Sequence, residues 1–142
     1  TPTTPPIPQI AGLNVILRII ERMGGKEAWL KMYADRAERI RKGVLELGLE
    51  LFAEPGYYSP TITVVYNPPG VKGPVIYEEL RKRGIEIAKG YGKVKDVTFR
   101  IGHMGYITDE DIKVLFENLE EVLKNLGFKP AKSSGMTKPP GG

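Results

Sequence analysis

The chain has 142 residues, a formal net charge of +4 and no cysteine. This length allows one domain with a hydrophobic core, and 41% hydrophobic with 27% charged residues is ordinary for a globular protein. The absence of cysteine excludes disulfides and thiolate-bound zinc, and it fits a cytosolic protein. No apolar run reaches the ~20 residues of a membrane span. The first residues also lack the basic and apolar regions of a secretory signal, so we expect no membrane partner.

The positive net charge suggests nucleic acid as an alternative partner. Within residues 27–46, however, basic side chains alternate with Asp35, Glu38 and Glu46, which is typical of a solvated helix face. A nucleic-acid site would need clustered Lys and Arg beside stacking aromatic rings, for which the candidates are Tyr57, Tyr58, Tyr66 and Tyr91. The positive charge is dispersed along the chain, so we expect no nucleic-acid partner.

The first part of the chain predicts an arm followed by two helices. Residues 1–8 contain four prolines, which remove backbone donors and favour an extended path, as in an interdomain arm. A helix is predicted from Pro8, because proline suits the first helical position and one apolar stripe follows: Ile10, Leu13, Ile16, Leu17 and Ile20. A second helix is predicted from Lys26 to the stop signal at Gly48.

The middle of the chain predicts strands around one short helix. Residues 49–53 can form a short strand, and residues 61–66 are a β-branched and aromatic run typical of a strand. Pro74 opens a helix through Lys82, after which residues 85–88 alternate as the next strand. The expected order is therefore strand, helix, strand. A strand at residues 97–101 could then pair with residues 85–88 in antiparallel fashion.

The stretch Val97-Thr-Phe-Arg-Ile101 carries the clearest candidate for ligand binding. Its polar and apolar side chains alternate, which predicts a half-buried strand with Phe99 and Ile101 in the core and Arg100 on the opposite face. Gly102 follows and leaves room for a ligand to approach. A guanidinium held on a rigid strand can bind a carboxylate through two parallel hydrogen bonds. Most strand arginines are simply solvated, so this pattern alone leaves both roles open.

The end of the chain predicts a capped helix and a tail. Thr108 can cap the helix and Asp111 can hydrogen-bond back to it, and the apolar face then continues to a stop at Gly127. Residues 129–142 have no apolar periodicity and are expected to form a flexible tail, which leaves residues 9–128 as the folded domain. The summed pattern predicts an α+β fold, in which helices pack on one face of a small, mostly antiparallel sheet.

The remaining polar residues give little evidence of catalysis. His103 is the only histidine, and because a lone histidine lacks catalytic partners we expect it to have either a structural role or a supporting role beside a binding site. Gly90 and Gly92 fit an ordinary turn at least as well as a turn beside a substrate. Glu120 and Glu121 are predicted to lie on a solvated helix surface. No catalytic residue and no metal ligand is predicted.

The segment FRIGHMGYITDEDIKVLFENLEEVL resembles the C-terminal segment of class V pyridoxal-phosphate aminotransferases of the alanine-glyoxylate and serine-pyruvate branch. The opening TPTTPPIP resembles the segment that leads from the large cofactor domain of these enzymes into the small domain, and the likeness covers about residues 1–128. The resemblance implies that Arg100 binds the substrate α-carboxylate and that Thr4 contacts the cofactor phosphate of a neighbouring subunit. A family tyrosine upstream of Thr4 is replaced by Thr1.

The resemblance also implies what this chain lacks. The Schiff-base lysine and the acidic partner of the pyridine nitrogen belong to the large domain of the family, and no lysine here matches that motif. We therefore expect a C-terminal fragment of a homo-oligomeric enzyme that moves an amino group between a small amino acid and a 2-oxo acid. The fragment alone is expected to be inactive, with pyridoxal phosphate as the cofactor of the parent and no covalent bond to this chain.

A second interpretation stays open at this point. The chain could be a stand-alone carboxylate-binding or oligomerising α/β module without catalysis, and such a module would use Arg100 equally well. The proline-rich opening favours the fragment, because a free-standing module has no need for a segment that resembles an interdomain junction. If the chain is a fragment, its first helix, which would pack across the domain junction of the complete enzyme, is expected to expose apolar surface and drive self-association.

Overall fold

The computed structural model describes residues 3–129. Contacts divide the chain into two compact units, Thr1–Asp35 and Arg36–Gly142, and the second helix continues from one into the other. The helices and strands, in chain order, are α1 (Ile7–Arg22), α2 (Gly25–Glu46), β1 (Ile62–Tyr66), α3 (Val75–Lys82), β2 (Ala88–Lys89), a 3-10 helix (Gly92–Val94), β3 (Thr98–Gly102) and α4 (Asp109–Asn125). The expected tail lies outside the described residues from position 130 onward.

The first unit contains α1 and the start of α2. Helix α1 begins one residue earlier than Pro8, and no residue within it is buried among the described part of the chain. Its exposed apolar side chains point in many directions around the helix and include Ile7, Ile10, Leu13, Val15, Ile16, Leu17 and Ile19. A helix with so much apolar surface is normally covered by other protein. Among residues 3–129, no helix has both the length and the apolar character needed to cross a membrane.

The second unit is built on a three-stranded antiparallel sheet in the order β1-β3-β2. Val65, Phe99 and Ile101 lie in one hydrophobic core. The helices α2, α3 and α4 contribute the rest of this core, with Ile40, Val44, Ile76, Leu80, Ile112, Phe116, Leu119 and Leu123 among its buried side chains. The predicted α+β class with a mostly antiparallel sheet is confirmed.

Two strand predictions need correction. Residues 49–53 do not form a strand, since only Leu51 makes an isolated bridge to Val65. Strand β2 comprises Ala88–Lys89 rather than residues 85–88. The reason is that the Ile85 amide donates to the Leu80 carbonyl at the end of α3, so the chain reaches β3 only from Ala88.

The predicted cap of the last helix is confirmed. The Thr108 hydroxyl accepts a hydrogen bond from the Asp111 amide at 3.1 Å, and the Thr108 amide donates to the Asp111 carboxylate at 2.7 Å. The Thr108 hydroxyl also donates to the Asp111 carboxylate at 2.7 Å, and this bond, with the one from the Thr108 amide, lowers the pKa of Asp111 because both stabilise its charged form. The start of α4, directly after the loop that follows β3, is therefore set by local chemistry.

Helices α2 and α4 approach each other closely at Gly43. A Cβ at this position would lie 2.5 Å from Cζ of Phe116, whose ring is almost fully buried. Because a protein core has little spare volume, the ring cannot move away without disturbing its neighbours. Glycine at position 43 therefore allows this helix contact.

We expect Gly43→Ala to lower the free energy of unfolding by about 1–3 kcal/mol, because the added methyl group would displace the Phe116 ring. Gly102→Ala is the matched control in the same unit, since a Cβ there has open space around it. Urea denaturation followed by circular dichroism measures both. Equal stability of Gly43→Ala and the unsubstituted chain would contradict the described packing.

Candidate carboxylate-binding site

Arg100 lies at the centre of the sheet. Strand β3 is the middle strand, and in its register Arg100 is opposite Val64 of β1 and Ala88 of β2. Its neighbours Phe99 and Ile101 are buried in the core while Arg100 is partly exposed. The guanidinium therefore emerges from the face of the sheet opposite the helices, on the most constrained strand of the fold.

The guanidinium is oriented by its surroundings. Its Nε donates a hydrogen bond of 2.7 Å to the Lys89 carbonyl, and the Tyr91 ring lies 5.7 Å from its central carbon. Among residues 3–129, no carboxylate forms an ion pair with Arg100, and its two terminal nitrogens have no hydrogen-bond partner. A position for a Cβ on the adjacent Gly102 is surrounded by open space. The arrangement leaves a two-pronged donor that could bind a carboxylate end-on.

The glycines near Tyr91 have structural explanations. A Cβ on Gly90 would lie 2.5 Å from the Thr98 carbonyl oxygen, so a larger residue would separate β2 from β3. Gly92 has a φ of +60°, a conformation that favours glycine. These observations favour the ordinary turn between strands over a special role beside a substrate.

The loop that follows β3 is held by a residue that the sequence did not single out. Buried Arg36 of α2 donates to the carbonyls of His103 at 3.1 Å, of Gly105 at 3.0 Å and of Ile107 at 3.0 Å. Charge-assisted hydrogen bonds of this kind are stronger than neutral ones. Arg36 belongs to a helix rich in basic residues, so only the fold could distinguish it from its solvated neighbours.

His103 lies in the interior, beside Thr63 of β1. The side chain is fully buried, and Nε2 lies 3.0 Å from the Thr63 hydroxyl. Nδ1 has no hydrogen bond of ordinary geometry with the described residues. Burial, helped by the positive charges of Arg41 and Arg36, lowers the pKa of His103 to about 4, so the imidazole is neutral near pH 7.

Because its pKa falls from an ordinary value of 6.5 to about 4, His103 makes stability dependent on pH. Below about pH 6.5 the unfolded chain binds a proton at His103, whereas the folded chain does not bind it until about pH 4. The free energy of unfolding therefore decreases as the pH drops toward 4. The expected loss is on the order of 3 kcal/mol. Urea titrations between pH 7 and pH 4 measure it. His103→Gln should show a shallower slope over this range, and identical slopes would contradict the assignment.

One prediction about acidic residues is wrong. Glu120 does not lie on a solvated surface, because it is buried and pairs with Lys124 at 2.7 Å. Glu121 is exposed as predicted, and a hydrogen bond from Arg83 lowers its pKa. The residues between 3 and 129 include no group of three or more His, Cys, Asp or Glu side chains that could hold a metal ion.

The lysines and Thr4, which are the side chains relevant to a pyridoxal-phosphate cofactor, lie at the surface of the described residues. Every lysine between positions 3 and 129 is exposed. Thr4 is exposed in the irregular segment before α1 and belongs to the first unit, whereas Arg100 belongs to the second. Thr1 lies outside the described residues.

Curated relatives cover nearly all of this chain but only part of their own length. A protein named soluble hydrogenase, small subunit, from Synechococcus sp. is 35% identical over 129 residues, or 90% of this chain and 33% of that protein. An uncharacterized aminotransferase of Methanocaldococcus jannaschii is 33% identical over 137 residues, or 96% of this chain and 35% of that protein. The chain thus spans about a third of the length of these relatives. No protein-family model matches it.

Two solved structures that resemble this chain are aminotransferases, like the second of these relatives. The pyridoxamine-pyruvate aminotransferase of Mesorhizobium loti matches with a TM-score of 0.80 and 30% identity, covering 92% of this chain and 34% of that one. The alanine-glyoxylate aminotransferase of Nostoc sp. gives 0.76 and 31%, covering 85% of this chain and 32% of that one. The fold is therefore that of an aminotransferase small domain. The chain belongs to the class V aminotransferases, in which it corresponds to the C-terminal small domain.

Proposed function

We propose that this chain is the part of a pyridoxal-phosphate aminotransferase that binds the α-carboxylate of a small amino acid and of its 2-oxo acid partner. The observation that carries the proposal is the hydrogen bonding of the Arg100 guanidinium. Its Nε is fixed by the Lys89 carbonyl, while its terminal nitrogens find no carboxylate among residues 3–129. A guanidinium that is already oriented loses little freedom when a carboxylate binds, which favours binding.

The parent enzyme would supply the rest of the chemistry. Pyridoxal phosphate, when bound, supplies the electron sink for amino transfer, and the lysine and acidic groups that hold it would come from the remaining two thirds of the parent. Thr4 is proposed to donate its hydroxyl to the cofactor phosphate of a neighbouring subunit, a role that its exposure permits. In this division of labour Arg100 orients the substrate, and the chain described here performs no covalent step.

The proposal includes a cytosolic homodimer as the working form of the parent. Its support is the apolar surface of α1, where Ile7, Leu13 and Leu17 are each more than half exposed. Exposed apolar area of this extent is typical of a surface that contacts other protein. The cytosolic location rests on the cysteine-free composition.

Two relatives carry the name of hydrogenase subunits, but the fold neighbours favour amino transfer. The two solved structures described above, at 30% and 31% identity, are aminotransferases, and the aminotransferase of Methanocaldococcus jannaschii matches over more of this chain than the hydrogenase subunit does. The other candidate is a stand-alone carboxylate-binding module, which the exposed guanidinium of Arg100 would also serve.

We expect the 142-residue chain alone to convert no L-alanine or L-serine with glyoxylate when pyridoxal phosphate is added, because in this proposal the cofactor-binding lysine lies in the remaining two thirds of the parent. The assay follows pyruvate or hydroxypyruvate release above the rate with free cofactor. A complete class V aminotransferase under the same conditions is the positive control. Turnover by the chain alone would refute the proposed dependence on a missing domain.

In the complete polypeptide that carries these residues, we expect Arg100→Gln to raise KM for the amino donor about ten- to a hundredfold, since one charge-assisted hydrogen-bond pair is lost. The KM of Arg100→Lys should lie between those of the unsubstituted enzyme and of Arg100→Gln. Lysine keeps the positive charge, but an ammonium cannot bind a carboxylate through a planar fork. Arg81→Gln is the matched control, since Arg81 is exposed on α3 and pairs with Glu86 at 3.5 Å. An unchanged KM in Arg100→Gln would contradict the assigned role.

A further inference from the structure

A second arginine of the Arg36–Gly142 unit lies beside a cavity far along the chain from Arg100. Arg41 of α2 is partly buried, and its Nη1 reaches the Ser59 carbonyl only at 3.4 Å, longer than the usual 2.9–3.0 Å. Its central carbon lies 4.8 Å from the centre of the Tyr58 ring. Within residues 3–129, no carboxylate pairs with Arg41. The guanidinium is oriented by an aromatic ring and one long hydrogen bond, so most of its five donors remain available.

The cavity beside Arg41 is small and largely apolar. It has a volume of about 160 Å³, and its lining combines Arg41 with the apolar Leu51, Ala53, Ile62 and Val64 and with the hydroxyl-bearing Tyr57, Tyr58, Ser59 and Thr63. That volume corresponds to about five water molecules in the liquid, which is room for a short alkyl chain. Arg41, Leu51 and Tyr58 also line a shallow open groove along α2, so the cavity opens to solvent at the guanidinium.

The charges are distributed unequally between the cavity and the groove. The groove contains Lys42 with Glu38 and Glu46, and Lys42 lies 3.9 Å from the Glu46 carboxylate. The cavity contains one cation and no acidic residue. A partly desolvated guanidinium without a carboxylate partner is unfavourable, and an anion that enters the cavity mouth would remove this cost.

We propose that this cavity binds a short aliphatic carboxylate, with its carboxylate on the Arg41 guanidinium and its alkyl chain against Leu51, Ala53 and Ile62. The apolar wall and the single cation complement the two ends of such a ligand. The same chemistry is offered by a free short-chain acid and by the carboxyl terminus of a peptide that ends in an apolar residue. The cation of this site, Arg41, lies on α2 rather than on β3, and Val64 in the cavity lining is the cross-strand neighbour of Arg100.

His103 provides a reporter for this site. Thr63 lines the cavity, and its hydroxyl lies 3.0 Å from Nε2 of His103, the only histidine of the chain. The positive charge of Arg41 helps to lower the pKa of His103. A carboxylate bound to Arg41 would offset that charge, so the imidazole pKa should rise when the ligand binds.

The experiment is a titration of the ¹⁵N-labelled 142-residue chain with sodium valerate, followed by amide and imidazole NMR signals. We expect saturable shifts at residues 41, 51–53 and 58–63 and a rise in the His103 pKa. Pentylamine and 1-butanol, which lack the carboxylate, should cause no such shifts. Arg41→Gln should weaken binding about tenfold or more, while Lys42→Gln, on the next position of the same helix, should leave it unchanged.

Two further arms complete the test. N-acetyl-glycyl-leucine represents a peptide terminus, and tighter binding of this peptide or of valerate shows which source of the carboxylate the cavity prefers. Arg100→Gln should retain the valerate shifts near Arg41. The proposal is overturned if valerate shifts only signals near Arg100, if Arg41→Gln binds as tightly as the unsubstituted chain, or if no shift saturates. If Arg41→Gln fails to fold, two results on the unsubstituted chain still test the proposal. These are which residues valerate shifts and whether pentylamine shifts the same residues.

Discussion

The pairing of β3 on both sides is the constraint on which the rest of the Arg36–Gly142 unit depends. Its hydrogen bonds to β1 and β2 fix a register in which alternate residues face opposite ways. Phe99 and Ile101 are thereby committed to the core that α2, α3 and α4 complete, and Arg100 is committed to the other face. A shift of one residue would bury the guanidinium, so the same register that forms the core also presents the candidate site.

The segment after β3 is held in place by hydrogen bonds and by burial of His103. Arg36 holds three carbonyls of residues 103–107, His103 is buried against Thr63, and the capping box at Thr108 starts α4 immediately afterwards. Loops normally derive mobility from backbone groups that bond only to water. Here those groups are bonded to protein, so the residues beside Arg100 are held by contacts from a distant helix.

The two units differ in how much of their apolar surface is buried. The Arg36–Gly142 unit buries a continuous core of its own, whereas α1 exposes most of its apolar side chains. Because curated relatives are about three times as long as this chain, their remaining two thirds offer protein that such a helix could contact. The Arg36–Gly142 unit is thus completed by its own packing, whereas apolar surface such as that of α1 is typical of a surface that contacts other protein.

Local sequence determined most of the elements. The alternation around Arg100, the capping box at Thr108 and the apolar stripes identified β3, α4 and the other helices, since these depend on neighbours within one or two turns. Tertiary contacts decided the rest. They reduced the predicted strand at 49–53 to a single bridge, buried Glu120, and selected Arg36 and Arg41 from a helix of similar basic residues. Burial and partners across the fold depend on residues far apart in sequence, and no local pattern encodes them.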